Sequence, residues 1–132
     1  EQLGYSVETA KGWYHVAVKH KSEDQEIIMY ESGDTATENV IMAAALCPHK
    51  TVIKYASANY MVQELCLFLK ALGVKIQGIG TTTLTIYGNQ SFNETITYTL
   101  SEDPIEAMLF LSIAATTNSS ITILSCPIDY LN

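Results

Sequence analysis

The chain repeats itself. Leu3-Gly4 lines up with Leu72-Gly73, a shift of 69 (72 − 3), and the same shift carries Val7 onto Ile76. It brings Trp13–Val18 within a residue of Thr82–Tyr87, and carries Ala45 onto Ala114 and Thr51-Val52-Ile53 onto Ser120-Ile121-Thr122. One shift that fits both ends marks a structural module of roughly 70 residues, so the fold must be built from copies of one supersecondary unit. The module holds two helices and four strands.

A whole copy is centred on residues 35–88. Thr35 and Glu38 have the spacing of a capping box, in which Thr accepts from a backbone N–H and Glu reaches back. The helix they predict runs over Val40, Ile41, Met42 and Ala43–Ala45 and stops at Pro48, which has no N–H to give. Thr51–Tyr55 is β-branched and aromatic, as a strand is. Asn59 predicts the cap of a second helix, whose Met61, Leu65, Phe68, Leu69 and Leu72 fall on one stripe. Gly73 stands where a left-handed residue ends that helix. Val74–Ile76 and Thr82–Tyr87 follow as strands, turning at Gly78 and Gly80, and Gln25–Tyr30 opens the copy.

Partial copies flank it. Glu1–Gly4 reads as the last turn of a helix, and Tyr5–Glu8 and Trp13–Val18 as the strands that close an earlier copy. Phe92–Leu100 reads as an opening strand, and Asp103-Pro104-Ile105-Glu106 as a helix start with Asp as cap, Pro first and Glu third. Ser120–Leu124 is the strand expected next, and Ile128–Leu131 the beginning of a further helix. The chain thus divides into a tail at 1–20, a complete copy at 21–90 and a head at 91–132, in one domain. Ends that fall inside helices read as cuts in a longer polypeptide. Modules that bury helices against one another need neighbours, so surplus apolar faces are expected to be shielded by self-association. The plainer alternative is a two-layer sandwich that stands alone.

Composition enters as exclusion. At 48% hydrophobic and 16% charged residues the chain can fill a core. It has no apolar run of the roughly eighteen residues a membrane span needs, and no basic-then-apolar leader. A net charge of −7 argues against a nucleic-acid partner, though a local pocket could still hold a phosphate. Cys47, Cys66 and Cys126 form no CxxC pair and complete no metal set with His15, His20 and His49. Cys47 and Cys66 read as small core residues, a pattern suited to a reducing cytoplasm. The N-x-S/T triplets at Asn89, Asn93 and Asn118 read as turn chemistry.

Several stretches together resemble a known family: EQLG at the start, ATENVIMAAAL with TVI, FLKALGVKIQGIGTTTLTIYG, and the YT-L-x-x-D-x-IEA-x-x-FL-x-x-AA pattern from Tyr98 to Ala115. They are similar to the UDP-N-acetylglucosamine 1-carboxyvinyltransferases, the enolpyruvyl transferases that open bacterial peptidoglycan synthesis. The resemblance is collinear over nearly the whole chain. It implies an α/β fold of two lobes, each an inside-out α/β barrel of three β-α-β-α-β-β units around buried helices. This chain would cover the later part of the first lobe and cross towards the second. The implied chemistry moves the enolpyruvyl group of phosphoenolpyruvate onto the 3-hydroxyl of UDP-N-acetylglucosamine through a tetrahedral adduct, releasing phosphate. That needs a cationic site and a general acid and base. The family's catalytic Lys-Asn pair, mobile-loop Cys, Arg clamps and catalytic Asp all lie outside this segment, so the resemblance implies no catalytic residue here and an inactive fragment. It implies no cofactor and no metal. The implied partners are the two small-molecule substrates, with neither nucleic acid nor membrane, in the cytoplasm.

One substrate-contacting stretch of the family does fall inside: the loop Lys-x-Ser-Val-Gly-Ala-Thr before the first helix. Aligned on Ala36-Thr37-Glu38-Asn39, its contact positions are Glu31, Gly33, Asp34 and Thr35, the candidate UDP-sugar loop. A helix N-terminus suits an anion. Glu31 and Asp34, however, set carboxylates where a diphosphate approaches. The family's Asp-Arg-Ile-Glu at the lobe junction reads Asp103-Pro104-Ile105-Glu106, and its Arg-Glu-Pro-Glu reads Ala58-Asn59-Tyr60-Met61. The loop is therefore either the substrate loop of a divergent transferase or an acidic helix cap, in which Asp34 and Glu38 complement the dipole; caps are the commoner use of such residues. Glu31, Asp34 and Glu38 lack a fourth ligand for a metal, and Trp13, Tyr55 and Tyr60 read as packing residues. The alternatives are another enzyme of this architecture, such as the shikimate-pathway enolpyruvyl transferase or the RNA 3′-phosphate cyclase, or a non-catalytic paralogue used as a binding module. The acidic charge disfavours an RNA substrate.

Overall fold

A computed structural model describes residues 4–18, 23–89, 91–92 and 95–131. It divides into two compact units, the first ending at Thr97 and the second beginning at Tyr98.

The first unit holds two sheets. One is a two-stranded hairpin of β1 (Tyr5–Ala10) and β2 (Trp13–Val18). The other is built from β3 (Gln25–Ile28), α1 (Asp34–Ala45), β4 (Lys50–Lys54), α2 (Tyr60–Ala71), β5 (Lys75–Gln77) and β6 (Thr83–Tyr87), in that order along the chain. β3 and β4 are parallel, which requires the crossover that α1 provides. β6 then lies antiparallel to both β4 and β5, giving the spatial order β3-β4-β6-β5. The predicted succession over residues 35–88 therefore forms, with boundaries shifted by a residue or two.

The helix ends show why. Asn59 caps α2 by accepting from the Tyr60 N–H at 2.7 Å, as its position predicts. At the other end Gly73 adopts φ +93, letting its own N–H reach Lys70 O (2.9 Å) and that of Val74 reach Leu69 O (3.0 Å). Both bonds satisfy carbonyls that the ending helix leaves open. The capping box predicted for α1 does not form. The helix begins two residues early, at Asp34, with Gly33 in an extended conformation as its cap and no side-chain cap bond. Thr35 is thus already inside the first turn.

One face of the four-stranded sheet is covered by the two helices. Ile53, Ile76, Leu84 and Ile86 meet Ile41 and Ala44 of α1 and Val62, Cys66 and Leu69 of α2, all buried, and Ile27 of β3 is buried as well. The opposite face is polar apart from Ile28, Val52 and the Tyr87 ring: Lys54 pairs with Glu26 at 2.9 Å, and the Lys75 ammonium lies 4.9 Å from the Tyr87 ring centre. After β6 the backbone passes the end of α1 so closely that Gly88 has no room for a side chain.

In the second unit α3 (Pro104–Thr117) starts as predicted, with the Asp103 carboxylate accepting from the Ile105 N–H at 2.7 Å. Glu106 is its only charged residue, and Ile105, Met108, Leu109, Phe110, Leu111 and Ile113 are all exposed. The strands expected at Phe92–Leu100 and Ser120–Leu124 are not there: their described residues join no ladder. Strand-like sequence becomes strand only when a neighbour takes its N–H and C=O groups. Ile128–Tyr130 is a single 3-10 turn where a helix start was expected. Of the helix turn expected at Glu1–Gly4, only Gly4 lies among the described residues.

Backbone conformation can be compared across the repeat expected from sequence. Gly4 (φ +80) and Gly73 (φ +93) both turn left-handed before their hairpins, 69 residues apart. Val7 pairs with Val16 as Ile76 pairs with Ile86, so β2 and β6 correspond at 70, not 69. The 70-residue spacing then holds onward: α1 and α3 begin at Asp34 and Pro104, and Tyr55 (φ +59) and Ser125 (φ +53) are both left-handed. Described by that expected repeat, the pairings follow a shift of 69 at the first strand of the hairpin and of 70 from its second strand onward. Ala114 answers to Ala44, and Ile121–Ile123 answers to Thr51–Ile53.

Candidate functional site

The loops that follow β3 and β4 leave the sheet from the carboxyl ends of adjacent parallel strands, the place where open α/β sheets build ligand sites. A small set of polar groups clamps these two loops together. Thr37, fully buried in the first turn of α1, is the joint. Its Oγ1 donates to Gly33 O at 2.7 Å and accepts from the Ser57 N–H at 3.0 Å. The Asp34 carboxylate accepts from the Ser57 hydroxyl on one oxygen and from Asn59 Nδ2, at 2.9 Å, on the other. Ser57 Oγ also accepts from the Asn59 N–H at 3.2 Å, and Ser32 Oγ donates to Ala56 O at 3.2 Å. The Ser57 hydroxyl, and after it the Asn59 amide, hold the Asp34 carboxyl below its ordinary range, because both bonds favour the charged form.

Of the four candidate residues, the structure brings two into this clamp. Gly33 gives its carbonyl and Asp34 its carboxylate. Glu31 and Thr35 are exposed. The Glu31 carboxylate folds beside the helix cap, its Oε1 3.6 Å from where a Cβ on Gly33 would stand. The Thr35 carbonyl accepts from Asn39 Nδ2 at 2.8 Å. Sequence reasoning missed Thr37 and Ser57 as the central pair. A Thr inside a helix can bond the carbonyl four residues back, a signal that was available for Thr37. Ser57 belongs to no local pattern.

The second unit has an open cleft at the start of α3, lined by Glu102, Asp103, Glu106, Ile123, Ser125 and Cys126. Among the described residues no three His, Cys, Asp or Glu side chains are grouped to hold a metal. Cys66 is fully buried, as expected, and burial pushes its thiol up to about 11. Cys47 is only half-buried, and its thiol is raised for the same reason. Neither is poised as a nucleophile.

Fold and loops define a mixed α/β domain of two sheets and three helices, with a clamped pair of βα loops. The chain belongs to the family of EPSP synthase (3-phosphoshikimate 1-carboxyvinyltransferase), whose profile matches residues 1–132. It is 38% identical over 122 residues to the UDP-N-acetylglucosamine 1-carboxyvinyltransferase of Treponema denticola, covering 92% of this chain and 28% of that protein. It is 36% identical over 131 residues to the enzyme of the same name from Bradyrhizobium diazoefficiens, covering 99% of this chain and 30% of that one. The corresponding protein of Aeromonas hydrophila is 38% identical over 122 residues. The chain thus spans less than a third of the length of these curated relatives. No helix among the described residues is long and apolar enough to cross a membrane.

Proposed function

We propose that this chain is a piece of a cytoplasmic enolpyruvyl transferase, which moves the enolpyruvyl group of phosphoenolpyruvate onto the 3-hydroxyl of UDP-N-acetylglucosamine in peptidoglycan synthesis. The observation that carries this reading is the collinear match, over 92–99% of the chain, to proteins of that name. In this reading residues 1–20 are the tail of one unit, 21–90 a complete β-α-β-α-β-β unit and 91–132 the head of the next, in an inside-out barrel. The distribution of polarity supports it. The open sheet face pairs Lys54 with Glu26 and sets Lys75 over Tyr87, whereas α1 exposes Met42, α2 exposes Met61 and Leu67, and α3 exposes Ile105, Met108, Leu109, Phe110, Leu111 and Ile113 around its whole circumference. A helix without a polar side belongs in an interior.

The chain carries no catalytic residue in this reading and is inactive alone. Release of phosphate from phosphoenolpyruvate and UDP-N-acetylglucosamine is expected from a polypeptide carrying the lengths its relatives add, and not from residues 1–132. Calorimetric titration of that longer protein with UDP-N-acetylglucosamine tests the substrate, and no heat at millimolar ligand removes the sugar nucleotide. A second reading, a transferase or binding module with a different ligand, is favoured by Glu31 and Asp34. Their carboxylates stand at the loop, and Asp34 is already engaged by Ser57 and Asn59. Heat with a phosphorylated, non-nucleotide acceptor and none with the sugar nucleotide would decide for it.

A further inference from the structure

The parallel strands β3 and β4 begin with Gln25 beside Thr51. Side chains alternate along a strand, so both turn to the side on which Ile27 and Ile53, two residues on, are buried. Thr51 also stands opposite the buried Ile86 and is itself fully buried. The first row of this sheet face is therefore polar, where the next, Ile27, Ile53 and Leu84, is aliphatic. Gln25 Nε2 and Thr51 Oγ1 are both shut off from solvent, and neither has a hydrogen-bond partner among the described residues. A buried hydroxyl or amide left without a partner destabilises a fold, and valine fills the space of threonine without that cost.

The end of α1 supplies room above this pair. The chain passes from Ala45, where α1 ends, to Lys50, where β4 starts, in a short loop, so the last turn of α1 lies at this end of the sheet. The Asn89 N–H, just past β6, reaches Ala45 O at 2.8 Å and fixes it there. The buried side chains of that turn are Ala44 and Ala45, a single methyl each, where Ile41 stands a turn earlier. Small buried spaces lined by polar atoms hold water, provided that it finds at least two partners. We infer that one water molecule is built into the fold here, accepting from Gln25 Nε2 and donating to Thr51 Oγ1. It ties the amino ends of β3 and β4 together, as Thr37 and Ser57 tie the loops at their carboxyl ends. The site is independent of the transferase chemistry.

Thr51→Val tests this by the sign of its effect. Where the hydroxyl holds the water, its removal strands Gln25 Nε2, and the folding equilibrium constant from urea unfolding is expected to fall about tenfold. A hydroxyl with no partner at all gives the opposite result, because a methyl group suits a dry core better. An unchanged or raised constant therefore overturns the proposal. Gln25→Met combined with Thr51→Val removes both partners at once, and the double variant is expected to be more stable than Thr51→Val alone. One that is equally or less stable shows that the two groups share nothing, and overturns it too. A high-resolution crystal structure of the 132-residue chain completes the test. Density for one water within hydrogen-bond distance of both atoms is expected. A direct bond between Gln25 and Thr51, or separated groups with no density between them, overturns the proposal.

Discussion

Thr37→Val exchanges one buried oxygen atom for a methyl group at nearly constant volume, which makes it a direct test of the clamp between the β3–α1 and β4–α2 loops. The hydroxyl makes two bonds, donating to Gly33 O and accepting from the Ser57 N–H. Gly33 O keeps a partner in the variant, because the Thr37 backbone N–H also reaches it at 3.0 Å. The N–H of the buried Ser57 loses its acceptor, and an orphaned buried donor costs about 1–3 kcal/mol. Against this, the added methyl gains about 0.8 kcal/mol of burial. With the weakened Gly33 bond contributing about 1 kcal/mol, the net loss comes to about 2 kcal/mol. Thr37→Ser supplies the contrast: it keeps both bonds and loses one buried methyl, about 1 kcal/mol. Urea unfolding followed by circular dichroism separates the two. With a slope of about 1–1.5 kcal/mol per molar, the Val variant should shift its midpoint by about 1.5 M, twice the shift of the Ser variant. If Thr37→Val is as stable as Thr37→Ser or more so, packing alone holds the loops and the clamp has no energetic role.

Gly88→Ala is expected to lose about 3 kcal/mol or more in thermal unfolding, because its Cβ would stand 2.0 Å from Cys47 O and 2.5 Å from Ala44 O. Gly73→Ala, left-handed but with open space around it, should lose only about 1–2 kcal/mol. Asp34 has a depressed pKa in the folded chain, so its contribution is present above the ordinary carboxylate range and lost as pH falls through the folded value. The difference in urea midpoint between wild type and Asp34→Asn should therefore be constant near neutrality and close below about pH 4. Cys66 should resist a disulfide reagent at pH 8 in the native chain and react on unfolding, since its thiol is pushed up to about 11. Mass spectrometry of the labelled peptides reads this directly, and native labelling at Cys66 would contradict the buried placement.

What could be read from sequence was whatever depends on near neighbours. The caps Asn59 and Asp103 and the left-handed Gly73 were legible because each acts within a few residues of itself, and the strand Trp13–Val18 because its partner β1 lies just across a tight turn. The capping box at Thr35 and Glu38 failed although its spacing was right. Gly33 could take the extended cap conformation just before it, and the helix began at Asp34 instead. The strands expected at Phe92–Leu100 and Ser120–Leu124 failed for a different reason: their composition suits a ladder, but a ladder needs a second strand. At the candidate site the sequence located the start of α1 and not the use of Asp34. That carboxylate finds its partner 23 residues away, in a loop whose approach follows from the parallel pairing of β3 and β4.

Between the cross-strand pair Ile76–Ile86 the chain encloses one residue more than between Val7 and Val16, which takes the offset between the two hairpins from 69 to 70. Had that residue entered either strand, alternation would have swung Leu84 and Ile86 out to water. In a turn, one extra link adds only a small increment of closure entropy. A foreign peptide grafted into the connection at 78–82 should therefore be tolerated while Leu84 and Ile86 keep facing the core.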